Sequence, residues 1–297
     1  FIEETIRSVL LQGYPDLEYI IMDGGSTDNT VEIIKKYAHW LAHWSSEKDE
    51  GQAKAINEGF TKARGSILGY LNSDDIYCNG GLAALLEHNR RRCRYRRRIF
   101  AGRVQDFPES ISQRCHNNSE FGRIDQWLDG GIGLHQPGCL WTSDLWRAAG
   151  PFREDTDFVF DRYFFSKCRM NGAKLISTRN VTAGFRLHDE SKTTNNFLNR
   201  NRFSLEWEAV KRDLEAGLSG TQRVTLKLRR ETKENWELVS QALSAQYGAA
   251  SRKPLYKKLR RNPFWLMHRP VAGAVIRLIT SAIKNRTKEL QTHRRIP

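Results

Sequence analysis

The sequence predicts an α/β fold in which a mostly parallel sheet is flanked by helices. Residues 17–22 and 67–71 are short apolar runs, and each is followed by a polar loop that contains aspartate. Between these runs, residues 31–37 and 51–60 carry apolar side chains at helical spacing. This alternation is typical of parallel sheets with helices on both faces. After residue 199 the composition shifts toward helix formers, which predicts a helical C-terminal extension.

The loop at residues 72–75 directly follows the apolar run 67–71 and contains the adjacent carboxylates of Asp74 and Asp75. In open α/β sheets, ligands bind beyond the carboxyl ends of the strands. Carboxylate oxygens at that place suit Mg²⁺ or Mn²⁺ bridging a diphosphate. A simple turn or helix cap favours the same residue types, so the residues alone leave both interpretations open.

A second loop of this kind follows the strand predicted at residues 17–22, and it begins with Asp23-Gly24-Gly25-Ser26. The two glycines allow the backbone to approach a ligand closely. The polar residues that follow can cap the helix at residues 31–37, whose N-terminus then faces the same crevice and favours an anion. Capping alone also accounts for an acidic residue before a helix.

Five segments, taken in order, carry a resemblance to a known family: residues 1–10, 12–15, 23–28, 46–52 and 72–75. Together they resemble glycosyltransferase family 2. The resemblance is dense from residue 1 to about residue 77 and thinner from residue 136 to residue 194. It implies a GT-A, Rossmann-like fold, a nucleotide-sugar donor, a divalent metal (Mg²⁺ or Mn²⁺) and inversion at the anomeric carbon.

The start of the chain departs from the family pattern. The family opens with a buried strand and a loop that touches the nucleotide, whereas residues 3–11 already have the pattern of an amphipathic helix. We therefore expect a catalytic domain that lacks the first strand of the family. Parallel sheets are buried on both faces, so the loss of a central strand predicts weaker nucleotide binding.

The resemblance also implies roles for particular residues. The nucleotide-sugar contacts fall on Asp23, Gly25, Ser26, Asp49, Gly51, Gln52, Asp75 and Arg186. Metal ligation falls on Asp74 and His188, and acceptor binding on Gln136. Asn72 stands where the family has its first acidic residue, which leaves Asp74 as the expected metal ligand. Helix capping is the alternative role for Asp49.

Asp161 is the expected catalytic base. In the resembling family, an acidic residue at the head of a helix follows a Gly-x-Phe turn, which corresponds here to residues 150–152. An inverting transfer needs a carboxylate that accepts the proton of the attacking hydroxyl. Tyr163 stands where the family commonly has a second aspartate, and the rival carboxylates are Glu154, Asp155 and Asp157. A helix cap is the alternative role for Asp161.

Charge and composition suggest the domain organisation. We expect a catalytic domain at residues 1–198, with a nucleotide-sugar half at 1–89 and an acceptor half at 90–198, followed by a basic helical extension at 199–297. The formal net charge is +14, and the basic excess is concentrated in residues 90–98 and in the extension. Aromatic and basic residues alternate at 256–269, which predicts peripheral contact with an anionic membrane. A solvated basic surface is the alternative.

The remaining features restrict the class of protein. The apolar stretch at residues 271–279 is too short to span a bilayer. Five cysteines without a C-x-x-C pair indicate neither a disulfide framework nor a zinc site, and a cytoplasmic location is expected. No nucleic-acid-binding signature accompanies the basic charge, so no nucleic acid is expected as a partner.

The sequence thus predicts an inverting, metal-dependent glycosyltransferase. It would move a sugar from a nucleotide diphosphate donor, a UDP-sugar by expectation, to a hydroxyl of a glycan or a lipid-linked glycan. A metal-dependent nucleotidyltransferase also places acidic loops beyond a parallel sheet, although the basic glycine-rich loop expected at its first strand is absent from this sequence. A basic nucleic-acid-binding module is the third alternative.

Overall fold

The structure, a computed structural model, describes residues 1–87, 95–108, 111–129, 133–189, 191–192, 196–243 and 257. The chain divides into two compact units, Phe1–Leu218 and Ser219–Pro297. The first unit therefore extends beyond residue 198, the predicted end of the catalytic domain. Residues 90–94 of the arginine run at 90–98 lie outside the described residues. The same holds for the segment 256–269, apart from Lys257, and for the segment 271–279.

Helices surround the sheets of the first unit. They are α1 (Ile2–Leu10), α2 (Thr30–Tyr37), α3 (Gln52–Lys62), α4 (Gly81–Leu86), α5 (Ile124–Leu128), α6 (Ser143–Ala149), α7 (Phe160–Met170) and α8 (Asn196–Ala216). The described part of the second unit is largely the helix α9 (Gly220–Leu243). Among the described residues, no helix combines the length and the apolar character needed to cross a membrane.

The strands form two sheets. They are β1 (Ile20–Asp23), β2 (His43–Ser46), β3 (Ile67–Leu68), β4 (Ile76–Tyr77), β5 (Arg98–Phe107), β6 (Cys115–His116), β7 (Cys139–Thr142) and β8 (Lys174–Arg186). Strands β1 and β2 pair in a small sheet, and the larger sheet has the order β3-β7-β5-β8-β4, with β6 on β5. The predicted α/β class and helical C-terminal region are confirmed.

The direction of the strands differs from the prediction of a mostly parallel sheet. Pairs β1/β2 and β5/β8 are parallel, whereas β3/β7, β4/β8, β5/β6 and β5/β7 are antiparallel. No strand is predicted at residues 43–46, where β2 lies, and α2 provides the crossover that its parallel pairing with β1 needs. Apart from β5 and β6, the partners in the larger sheet are distant in sequence, so local periodicity contains no information on their direction.

Helix α1 lies between two hydrophobic clusters. Ile6 packs with Ile21 and Ile34 beside the small sheet, whereas Val9 belongs to the cluster that contains Tyr77 and Phe100 of the large sheet. Both α1 residues are almost fully buried. The apolar face of α1 therefore connects the two sheets, and this position brings its polar residue Thr5 against the loop at residues 72–75.

An aromatic cluster fills the space between β7, α3, α6 and α7. Phe152 lies at its centre, 5.3 Å from Trp146, 5.4 Å from Tyr70 and 4.8 Å from Phe164, measured between ring centroids. Trp141 is also fully buried there. Tilted and edge-to-face aromatic contacts add to the free energy of burial. The cluster fixes the segment that leads from Gly150 to Asp161.

Prediction: Phe152→Ala should lower the free energy of unfolding by about 3–5 kcal/mol, because it leaves a cavity inside this cluster. Urea unfolding followed by circular dichroism measures the change. Leu205→Ala, at a position that is 72% exposed, is the control, and it should change stability by less than about 0.5 kcal/mol. A loss below about 1 kcal/mol for Phe152→Ala would contradict the central role of this ring.

Candidate functional site

The first acidic loop is held in shape by Asp23 at the end of β1. Its carboxylate accepts hydrogen bonds from the backbone N–H of Gly25 (3.2 Å) and Ser26 (3.0 Å) and from the hydroxyl of Ser46 (2.6 Å). Partial burial raises the pKa of Asp23, but the bonds from Ser26 and Ser46 outweigh it, and the pKa lies below its ordinary value. The loop is therefore a fixed, anionic turn, and Ser46 connects it to β2.

The second acidic loop lies against the first. A Cβ atom added to Gly24 would be only 2.7 Å from Oδ2 of Asp49, so a larger residue there would force the Asp49 side chain to shift. Asp49 also accepts a hydrogen bond from the backbone N–H of Gly51 at 2.9 Å. Gly51 has φ +121°, a conformation that side-chain-bearing residues rarely adopt. The structure thus brings Asp23, Gly25, Ser26, Asp49 and Gly51 together.

The third acidic loop, at residues 72–75, is joined to α3 and α1. The amide of Gln52, the first residue of α3, donates to Oδ1 of Asn72 at 2.7 Å. Asn72 in turn donates to Asp75 at 3.2 Å. The hydroxyl of Thr5 is 2.9 Å from the carbonyl of Ser73 and 2.8 Å from that of Asp75. Gln52 therefore connects the second loop to the third.

Asp75 differs from its expected role in direct nucleotide contact, because its side chain is fully buried. One oxygen accepts from the backbone N–H of Arg186 at 3.0 Å, and the other accepts from Asn72. Burial, with a smaller contribution from the charge of Asp74, raises the pKa of Asp75 to about 7. In this structure Asp75 braces the loop from inside, and contact with a ligand stays a prediction.

Arg186 and His188, at the end of β8 and just beyond it, close one side of this loop. The Arg186 side chain donates to the carbonyl of Asp74 (2.7 Å) and to the carboxylate of Glu4 (2.5 Å). Its guanidinium lies over Phe1 and Phe107, 4.6 Å and 4.3 Å from their ring centroids. These contacts hold the Arg186 side chain in place within the protein. Its contact with a diphosphate stays a prediction.

Asp74 and His188 are the predicted metal ligands, and they meet in the structure. Nε2 of His188 is 3.0 Å from Oδ2 of Asp74, and both side chains are partly exposed. Within the described residues, no group of three or more His, Cys, Asp or Glu side chains is arranged to hold a metal ion. Mg²⁺ is commonly bound by one or two protein ligands together with substrate phosphates. The Asp74–His188 pair fits such a site, in which substrate and water supply the other ligands.

The ammonium group of Lys192 lies beside Gln52, the residue that joins the second and third loops. Nζ of Lys192 is 3.2 Å from Oε1 of Gln52, the amide that also contacts Asn72. Lys192 is exposed and lies near the end of the stretch 136–194, over which the family resemblance is thinner. An ammonium group at this place suits a phosphate-bearing ligand.

Asp161, the predicted base, is the second residue of α7. Withdrawal from water raises the pKa of its carboxyl group to about 6, although the backbone N–H of Arg162, at 2.6 Å, and the Arg162 charge oppose the shift. Burial raises the pKa of Tyr70, and the negative charges of Asp161 and Asp75 raise it further. Tyr70 therefore lies close to both carboxylates, and its ring centroid is 6.3 Å from that of Phe160, the residue before Asp161.

The rival carboxylates have other surroundings. Glu154 accepts a hydrogen bond from Asn57 at 2.8 Å, and Asp155 forms an ion pair with Arg153 at 2.6 Å. Asp157 is exposed. The hydrogen bonds from Arg153 lower the pKa of Asp155, whereas burial raises the pKa of Asp161. A carboxylate with a pKa near 6 is a better proton acceptor than one with an ordinary value.

Gln136, the predicted acceptor residue, is buried with 4% exposure. Its amide nitrogen donates to the carbonyl of Tyr70 at 2.5 Å, whereas its Oε1 is buried with no hydrogen-bond partner among the described residues. In this structure Gln136 supports the strand end that precedes the third loop. Contact with an acceptor stays a prediction.

Sequence reasoning missed several residues that shape the site. Thr5 holds the third loop, Tyr70 lies between two carboxylates, and Trp207 of α8 lies against Arg162. No local pattern distinguishes these residues from ordinary core or capping residues. Their roles depend on contacts between segments that are distant in sequence.

Comparison with known proteins now identifies the family. Residues 1–138 match the family described as Glycosyl transferase family 2. Residues 1–138, just under half of the chain, therefore match glycosyltransferase family 2. The matched segment contains all three acidic loops, whereas Asp161, Arg186 and His188 lie beyond it. The resemblance predicted from the sequence is confirmed.

Relatives within glycosyltransferase family 2 match short parts of the chain. An uncharacterized glycosyltransferase of Mycobacterium tuberculosis is 34% identical over 84 residues, 28% of this chain and 32% of the relative. A putative teichuronic acid biosynthesis glycosyltransferase of Bacillus subtilis, TuaG, is 36% identical over 90 residues, 29% of this chain and 36% of the relative. The poly-beta-1,6-N-acetyl-D-glucosamine synthase of Staphylococcus epidermidis is 36% identical over 77 residues, 25% of this chain and 19% of the relative. The chain thus spans about a third, or less, of the length of these curated relatives.

Solved structures of S. aureus TarS have a similar fold. TarS 1–349 in complex with UDP-GlcNAc has a TM-score of 0.58 and 17% identity, over 76% of this chain and 66% of TarS 1–349. The corresponding complex with UDP has a TM-score of 0.53 and 17% identity, over 76% and 65% of the two chains. At this identity the likeness shows the fold of this family 2 chain and not its ligand.

Prediction: Asp161→Asn should raise the free energy of unfolding by about 1–3 kcal/mol at pH 8 and change it little at pH 4. The folded-state pKa of about 6 lies above the ordinary value of 3.8, so the ionised carboxyl destabilises the fold, increasingly as pH rises from about 4 to about 6. Urea unfolding at both pH values measures the difference. Asp16→Asn, in an exposed loop, is the control. An equal effect at both pH values would contradict the raised pKa.

Proposed function

We propose that this family 2 chain is an inverting, metal-dependent glycosyltransferase. It transfers a sugar from a nucleotide diphosphate donor, a UDP-sugar, to a hydroxyl of a glycan or a lipid-linked glycan. One observation carries the proposal: three acidic loops are joined by direct contacts, and Tyr70, directly before the third of them, lies close to the Asp161 carboxyl group. Transfer needs this combination of a donor site and a proton acceptor.

The donor nucleotide is bound by the first and second loops. The close approach of Gly24 to Asp49 leaves backbone and carboxylate groups side by side at this edge of the small sheet. Asp23, with its lowered pKa, stays anionic and is already fixed by Ser46. Carboxylates held in this way accept hydrogen bonds from the hydroxyl and N–H groups of a nucleoside without reorganisation.

The diphosphate is bound beside the third loop. Asp74 and His188 would hold the divalent metal, which would act as a Lewis acid on the diphosphate leaving group. Lys192 and Arg186 provide positive charge on the same side of the loop. Asp75 keeps the loop in place from inside, since both of its oxygens are bonded within the protein.

Asp161 acts as the general base. Inversion requires that the acceptor hydroxyl attack the anomeric carbon from the face opposite the leaving diphosphate, while its proton passes to a carboxylate. The raised pKa of Asp161, about 6, makes this carboxylate basic while it is still mostly ionised above neutral pH. In the same segment, the bond to Arg153 lowers the pKa of Asp155 and makes that carboxylate a weaker proton acceptor.

The choice of donor and acceptor is supported by the relatives. TarS was solved with UDP and UDP-GlcNAc, and the names of two relatives refer to the synthesis of teichuronic acid and of poly-beta-1,6-N-acetyl-D-glucosamine. We therefore take UDP-N-acetylglucosamine as the first donor to test. Peripheral membrane contact remains a prediction from the sequence, because the basic segment 256–269 on which it is based lies outside the described residues, apart from Lys257.

Prediction: Asp74→Ala and Asp161→Asn should each lower the rate of UDP release from UDP-N-acetylglucosamine with Mn²⁺ and an acceptor glycan by at least about 100-fold. Asp74→Ala removes a metal ligand, and Asp161→Asn removes the proton acceptor. A screen of other UDP-sugars follows if this donor gives no turnover. Thermal unfolding shows that each variant is folded, and Asp16→Asn is the matched control. A wild-type rate in either variant would exclude that residue from its proposed role.

Prediction: His188→Ala should raise the Mn²⁺ concentration needed for half-maximal UDP release by about 10–100-fold, because the imidazole beside Asp74 is lost. A Mn²⁺ titration at saturating donor measures the shift. His39→Ala, at an exposed position outside the three loops, should leave the titration unchanged. An unchanged Mn²⁺ requirement in His188→Ala would leave His188 without a metal role.

A further inference from the structure

Helix α8 covers the segment that leads to Asp161. The carboxylate of Glu206 accepts hydrogen bonds from the backbone N–H groups of Asp157 (3.1 Å) and Phe158 (2.8 Å). Arg153 forms an ion pair with Asp213 at the other end of α8. Two acidic residues of α8 therefore bind the segment at separate points just before α7 begins.

The closest contact between α8 and the site is made by Trp207. The guanidinium carbon of Arg162 lies 3.8 Å from the centroid of the Trp207 ring, and Trp207 is only 6% exposed. The same guanidinium donates to the carbonyl of Trp127 at 3.0 Å. Its Nε is buried without a hydrogen-bond partner among the described groups. An arginine is thus held beneath the surface by an aromatic face and one carbonyl.

Such a buried cation needs a compensating charge. Asp161, its neighbour in sequence, carries the negative charge that interacts with Arg162. No ion pair within 4.0 Å between the two side chains is present in the described part of the chain. Arg162 therefore contributes positive charge near Asp161 without occupying its carboxylate oxygens through its guanidinium. A base that must accept a proton needs a free oxygen.

We propose that Trp207 is a positioning residue of the active site, which holds the guanidinium of Arg162 as a fixed positive charge beside Asp161. The inference rests on the proposed function, since it takes Asp161 as the base. Helix α8 then belongs functionally to the catalytic centre, although it lies outside the family match at residues 1–138. Its aromatic residue acts on the reaction only through Arg162.

The sign of the expected effect follows from the groups that face Asp161. Among the described residues these are Arg162, Tyr70 and Cys139, and of the three only Arg162 carries a positive charge. Loss of a fixed cation raises the pKa of a carboxylate, whereas exposure to water lowers the pKa of a buried one. Release of Arg162 and general loosening of α8 thus move the titration of Asp161 in opposite directions.

The test is a carbon-13 NMR titration of the full chain labelled at the aspartate carboxyl carbons. The Asp161 signal is the one that Asp161→Asn removes. In Trp207→Leu its midpoint should rise by about one pH unit, and in Trp207→Phe, which keeps an aromatic face, it should rise less. Arg162→Met should raise the midpoint as well, and adding Trp207→Leu to it should give no further rise, because the effect passes through Arg162.

Val210→Ala is the matched control, since Val210 is fully buried on the same helix. It should lower stability without raising the midpoint. A midpoint in Trp207→Leu that stays or falls would overturn the inference, and so would a rise of the same size in Val210→Ala.

The pH dependence of UDP release connects this shift to catalysis. If the Asp161 midpoint rises by one unit, the kcat/KM of Trp207→Leu for UDP-N-acetylglucosamine should fall about tenfold at pH 5 and stay near wild type at pH 8. Equal losses at both pH values would show a structural defect and overturn the positioning role. Wild-type activity in Asp161→Asn would instead overturn the proposed function, and the NMR titration separates the two failures.

Discussion

The candidate site depends on the way in which Arg186 holds the third acidic loop. Carboxylates crowded at the end of a sheet repel each other, and burial of Asp75 makes its ionisation more costly still. Arg186 opposes this with a backbone N–H to Asp75, a side-chain bond to the carbonyl of Asp74 and an ion pair with Glu4 of α1. Two aromatic rings fix its guanidinium. Without this cation, the loop that carries the proposed metal ligand would lose its shape.

Burial in the site has two opposite uses. Asp75 and Asp161 both have raised pKa values, but Asp75 bonds with both oxygens inside the protein, whereas Asp161 accepts only its neighbour's backbone N–H among the described contacts. The same physical effect thus gives a structural brace in one place and the proposed base in the other. The difference is made by the hydrogen-bond partners, and in the case of Asp161 also by the charge of Arg162.

Local sequence predicted the parts of this site that are formed locally. The loop after β1, with Asp23 bonded to Gly25 and Ser26, follows from the order of residues in one turn. The family resemblance added Asp74 and His188, which the structure places 3.0 Å apart. The direction of the strands in the large sheet, the burial of Asp75 and the position of Trp207 over Arg162 could not be predicted, because each depends on contacts between segments far apart in the chain.

Helix α1 has neighbours on two sides, with Ile6 in one hydrophobic cluster and Val9 in the other. A change in its tilt would therefore displace side chains packed on both sheets. Through its hydrogen bonds, Thr5 would transmit the same motion to the backbone of residues 73 and 75. Such a helix tolerates substitution poorly on its inner face, since a larger or smaller side chain there requires matching changes in both clusters. Engineering of donor preference is better directed at the exposed rim than at this element.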